Sequence, residues 1–176
     1  DDLQDVLSRE PVAAADLAAS LAKQFPFALE GITWSEPVDI SGEVAAGYSS
    51  GEPATAVVPH QPSQSSDERT AIVARCLCEH ALKTRAEFRE IGDRPAGGVD
   101  LLGLLAGLGV ITANAKFPQG SPSRVRSAGP FHQRSAYIPA RQFGYALALR
   151  ATLTDDPAEW ASWLRLDARE PFELGR

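Results

Sequence analysis

From Ser65 to Phe88 the chain runs without a glycine or a proline, and this uninterrupted window constrains the fold more than any other. Ser65-Ser66-Asp67-Glu68 is a helix N-terminal signal, with Ser66 or Asp67 as the cap. The spacing predicts one long helix to about Phe88. A second helix is predicted from Asp100 to about Ala115, apolar nearly all round and therefore buried. Gly103, Gly107 and Gly109 lie along it. Each costs about 1 kcal/mol against Ala, so close approach of a neighbouring helix is expected to compensate. Their order, G-x-x-x-G-x-G with no strand-turn ahead of it, is not a dinucleotide fingerprint.

The flanking chain is more broken. Asp1 to Gln24 reads as a helix with Pro11 in an early turn and Pro26 as its stop. Ile32, Trp34, Val38 and Ile40 fit short strands, as do Val44 to Tyr48 and Ala54 to Val58. Pro118 to Tyr137 is a long irregular loop, of a length that is usually functional or disordered. A third long helix is expected from Pro139 to about Leu153. Asp155-Asp156-Pro157 then caps a fourth, with Trp160, Trp163 and Leu164 as its apolar stripe. Pro171 to Arg176 reads as the start of a further element. The order of helix, strands, then helices gives an α+β class. We expect a single domain over 1–176, with a small antiparallel or mixed sheet packed on a mainly helical C-terminal half.

Composition excludes several functions. The net charge is −6, and its one basic cluster, Arg124, Arg126 and Arg134, is too small for a phosphate-binding footprint. A nucleic-acid partner is not expected. The longest apolar run, Val99 to Val110, is too short to span a bilayer and carries Asp100, so no membrane partner is expected either. Cys76 and Cys78 are the two cysteines. Two positions apart on a helix they point ~160° away from one another and cannot pair there. With no disulfide framework and no visible secretory signal, a reducing, cytoplasmic setting is expected.

The chemistry concentrates in Ala74-Arg75-Cys76-Leu77-Cys78-Glu79-His80-Ala81. At about 100° per residue, Glu68, Arg75, Glu79 and Lys83 share one stripe. Arg75–Glu79 and Glu79–Lys83 are oppositely charged i,i+4 pairs, which by itself describes a solvated, charge-laced face. Cys76, Glu79 and His80 stand at i, i+3 and i+4, so they can converge. Cys-x-x-Glu-His resembles an inverted zinc motif with Cys in place of the first His. Against that, a buried Cys usually acts as a small hydrophobe. A metal there would need a third ligand such as Asp100, His60 or His132. A Cys-His hydrolase using Cys76 or Cys78 is disfavoured because both lie mid-helix, away from the dipole that lowers a thiol pKa.

Val99-Asp100-Leu101-Leu102-Gly103 through Thr112-Ala113-Asn114 resembles a DLLTVFxGLGxFTAN block of an uncharacterised bacterial family. Ala136-Tyr137-Ile138 and Phe143-Gly144-Tyr145-Ala146-Leu147-Ala148 resemble its GYL…FGYALA block. Trp163 to Arg169 is similar to the block that follows. The resemblance covers roughly Ile72 to Arg176. It implies a small zincin-like metallopeptidase scaffold with an HExxH-type helix just upstream of the Asp-Leu-Leu block. In that motif two His four apart hold zinc and the Glu between them is the general base. Carried across, the first His falls on Arg75, the Glu on Cys76 and the second His on Glu79. None is retained. Asp100 is retained and corresponds to a possible third ligand.

The expected function is therefore a non-catalytic, zincin-like domain that has lost its metal site and binds or regulates a protein or small molecule, without a cofactor. Arg75 and Glu79 would form an ion pair where a metal would sit. One alternative is a metal-dependent hydrolase with shifted ligands, Cys76, His80 and an acid such as Glu79, using zinc. Another is a purely structural or assembly module. The loop bearing Arg124, Arg126, Phe131, His132 and Arg134 is the expected place for a ligand or partner.

Overall fold

A computed structural model of the chain describes residues 13–23, 30–38, 46–60, 65–88, 95–116 and 138–176. Over these residues the fold is α+β, with six α-helices and one three-stranded mixed sheet. The chain divides into two compact units, Asp1–Val99 and Asp100–Arg176.

The first unit opens with α1 (Ala14–Ala22), whose Ala14, Leu17, Ala18 and Leu21 are buried at helical spacing. Full burial of each leucine contributes about 1.5–3 kcal/mol. Three short strands follow: β1 (Ile32–Ser35), β2 (Gly47–Ser49) and β3 (Ala54–Val57). Their order in the sheet is β1-β3-β2, with β1 parallel and β2 antiparallel to β3. The pairing continues past the strands through Val58 N–H to Ser35 O and His60 N–H to Pro37 O, both 2.9 Å.

Alternation along each strand sorts the two faces. One cross-strand row is Trp34, Ala56 and Tyr48. Ala54, Ala56 and Val58 are buried on that face. The opposite face carries Thr33, Thr55 and Ser49 in register. Thr33 and Ser49 are exposed there.

Helix α2 (Ser66–Thr84) is capped by Ser65, one residue ahead of the expected Ser66 or Asp67. The Ser65 hydroxyl accepts from Glu68 N–H, and the Glu68 carboxylate accepts from Ser65 N–H. This reciprocal pair satisfies two donors left over at the helix start. The helix stops at Thr84, and a 3-10 turn (Ala86–Phe88) replaces its expected last turn. α2 packs against α1, β2 and β3. Val73, Ala74, Leu77, Ala81 and both cysteines are buried along it.

The predicted single helix from Asp100 to Ala115 is two helices, α3 (Pro95–Leu105) and α4 (Gly109–Lys116). Gly107 takes φ +91 between them. Gly107 N–H bonds to Leu104 O, and Leu108 N–H bonds to Gly103 O. These are the closing bonds of a left-handed helix cap, a conformation glycine enters without steric cost. The expectation of close approach holds at Gly109, where an added Cβ would lie 2.5 Å from Leu147 Cδ2.

In the second unit α5 (Ala140–Leu153) starts after Pro139, as expected. The fourth predicted helix is instead a 3-10 turn (Glu159–Trp163) followed by α6 (Leu166–Gly175). Pro171, expected to open a new element, lies inside α6. It has no N–H to give to the preceding turn, and its ring abuts Gly144. A Cβ on Gly144 would lie 2.6 Å from Pro171 Cβ and 2.7 Å from Ala168 O. Trp163 is 66% exposed, so the expected apolar stripe reduces to Trp160 and Leu164. Around them Phe143, Leu147, Ala151, Ala168 and Phe172 form one buried cluster. Asn114 ties α4 to this region, donating to Trp163 O and accepting from Arg165 N–H, both at 2.9 Å.

Candidate functional site

The residues singled out on α2 lie where that helix meets β2. Arg75 Nε donates to Glu79 Oε1 at 2.9 Å. The two side chains are 24% and 23% exposed, so the pair is more sheltered than the solvated face the spacing alone describes. Lys83, the next residue of that stripe, is exposed. Glu68 serves the cap of the helix.

Cys76 and His80, one turn apart, both reach β2. The Cys76 thiol donates weakly to Gly47 O, with Sγ at 3.7 Å. Burial first, and then the charge of Glu79, push this thiol up to about 12, against smaller opposing effects of Arg75 and a backbone hydrogen bond. Near neutral pH Cys76 is a protonated, unreactive thiol. Cys78 is also buried, and neither cysteine is in a disulfide.

The His80 ring is 3% exposed and both of its nitrogens have partners. Nε2 lies 3.1 Å from Glu30 O, and Nδ1 lies 2.9 Å from the Tyr48 hydroxyl. A carbonyl oxygen can accept and cannot donate, so a neutral imidazole carries its proton on Nε2. Nδ1 then offers a lone pair, and Tyr48 donates to it. The two rings meet edge to face, centroids 5.6 Å apart. Burial raises the Tyr48 phenol above its ordinary pKa, and the nearby Glu79 and Cys76 add to the rise.

The three groups of the shifted-ligand alternative thus face different partners. Cys76 turns to a β2 carbonyl, His80 to Tyr48 and Glu30, and Glu79 to Arg75. Among the described residues no group of three His, Cys, Asp or Glu side chains is placed to hold a metal ion. Asp100 belongs to the second unit, where its buried carboxylate accepts from Ile138 N–H at 3.1 Å and so fixes the approach to α5. His60 lies at a parallel bridge opposite Val38. Arg124, Arg126, Phe131, His132 and Arg134, proposed for ligand or partner contact, lie outside the described residues.

Sequence reasoning did not single out Tyr48, Gly47 or Glu30. Each meets α2 across 29 to 50 residues of chain, and no local spacing encodes such a pairing. The one available signal was the aromatic placed on a predicted strand. No helix of the described residues is long and apolar enough to cross a membrane. Comparison of the chain with protein-family models, curated proteins and solved structures gives no match.

Proposed function

We propose that this chain is a non-catalytic binding or regulatory module on a zincin-like scaffold that has lost its metal site. The observation that carries this reading is the Arg75–Glu79 ion pair at 2.9 Å. By the resemblance, these two positions correspond to the paired histidines of a zinc helix. A guanidinium there supplies positive charge opposite Glu79 without any ion. A zinc ion needs unprotonated donors directed at one point. Arg75 cannot donate a lone pair, Cys76 holds its proton, and the His80 lone pair is taken by Tyr48. These residues do not fit a zinc ion. The partner is a protein or a small molecule, and neither nucleic acid nor membrane is proposed. The proposed setting is cytoplasmic, since two buried cysteines outside any disulfide need no oxidising compartment.

The test is elemental analysis of protein purified without chelator or an affinity-tag metal. Metal-free, cooperatively folded protein supports the reading. Near-stoichiometric zinc, lost in Cys76→Ala or His80→Ala, overturns it in favour of a hydrolase with shifted ligands.

A further inference from the structure

We propose that Tyr48 is a nucleophilic acceptor of acyl groups, with His80 as the base that takes its proton. The geometry has the three parts such a step requires: a nucleophile, a base within hydrogen-bond reach, and a group that orients the base. Tyr48 Oη lies 2.9 Å from His80 Nδ1, and Glu30 O holds Nε2–H at 3.1 Å. The base is buried whereas Tyr48 is partly exposed. Among the described residues β2, which carries Tyr48, stands at one end of the strand order.

In the step, Tyr48 Oη bonds to the acyl carbon and its proton passes to His80 Nδ1. The bond from the acyl carbon to its leaving group breaks, and the leaving group takes the proton from the imidazolium. The product is a tyrosyl ester, a single stoichiometric modification. The donor class is a neutral activated ester. Glu79 is already paired with Arg75, and a neutral donor asks for no counter-charge from that pair. The inference rests on the metal-free reading above, because His80 serves here as the base and would be a zinc ligand in the alternative.

The test uses the full chain and 4-nitrophenyl acetate, with peptide mass mapping of acetyl groups. At pH 7, Tyr48 is expected to label at least about tenfold faster than Tyr145 and than N-acetyltyrosinamide, toward the hundredfold of general-base assistance. A smaller advantage overturns the proposal. So does a Tyr48 rate that climbs about tenfold per pH unit up to the phenol range, the mark of a hydroxyl that must ionise first. His80→Gln should abolish the advantage. Since that variant removes a buried ring, nitrogen NMR of the unaltered chain gives a second check. His80 protonated at Nε2 is expected, and protonation at Nδ1 alone overturns the mechanism.

Discussion

The Glu36 carboxylate and the Arg69 guanidinium, 33 residues apart in sequence, form an ion pair that joins the end of β1 to α2. The other carboxylate oxygen accepts from Ala14 N–H at 2.7 Å. Ala14 opens α1 and its N–H has no partner within that helix. One side chain therefore holds two helices to the sheet.

Replacing Glu36 with Gln keeps the shape of this side chain and removes its charge. Breaking a buried ion pair costs about 3–5 kcal/mol. Glu36 is 27% exposed, so a smaller loss, about 2 kcal/mol, is expected for Glu36→Gln. The check is the denaturant midpoint of the variant against that of the unaltered chain. A change under about 0.5 kcal/mol, the range of an ordinary surface substitution, would remove Glu36 from the account of how α1 is held.

Gly144→Ala is expected to destabilise the second unit by about 1–3 kcal/mol. The added methyl would meet Ala168 O at 2.7 Å and Phe172 N at 2.9 Å. These are backbone atoms of α6 and cannot rotate away. Gly47→Ala is the control, because nothing lies within 4 Å of its added Cβ. Thermal unfolding of both variants decides the point. Equal melting temperatures would show that α5 and α6 do not depend on this contact.

Cys76 links stability to pH at the alkaline end. Its thiol moves from an ordinary value of 9.0 to about 12 on folding. The folded state therefore keeps a proton that the unfolded chain has released. This contribution is fully present below pH 9.0, falls as pH rises, and is gone above about 12. Between pH 8 and 10 the unaltered chain should lose about 1 kcal/mol more than Cys76→Ala does, as one pKa unit corresponds to about 1.4 kcal/mol. Denaturant titrations of both proteins at the two pH values measure the difference. Parallel losses would show that Cys76 is as accessible to base in the fold as out of it.

Some of this structure was legible in the chain because its causes are local. The Arg75–Glu79 pair spans four residues of one helix, and helix geometry alone brings such positions together; the helix start was legible to within a residue, its cap being Ser65 and not Ser66 or Asp67. The start of α5 after Pro139 followed from the fixed φ of proline. Gly107 shows the limit. Its composition was read as a cost within one helix, while its φ of +91 makes it the end of α3. A glycine within an apolar run supports either outcome until the packing on both sides selects one. The overestimate at Trp163 has the same origin, since an apolar stripe on a helix presumes the helix, and the turn there is 3-10.

What the sequence by itself determined was the α+β class, the presence of its long helix and the charge pair on it. All are set by periodicity, capping chemistry and i,i+4 reach. The tertiary structure alone decided which groups those helix side chains answer to. It set Tyr48 and the Glu30 carbonyl against the two faces of His80, Gly47 against Cys76, and Glu36 against both α1 and Arg69. A hydrogen bond acts over about 3 Å, whereas its partners here lie tens of residues apart, so the folded chain and no local rule brings them within range.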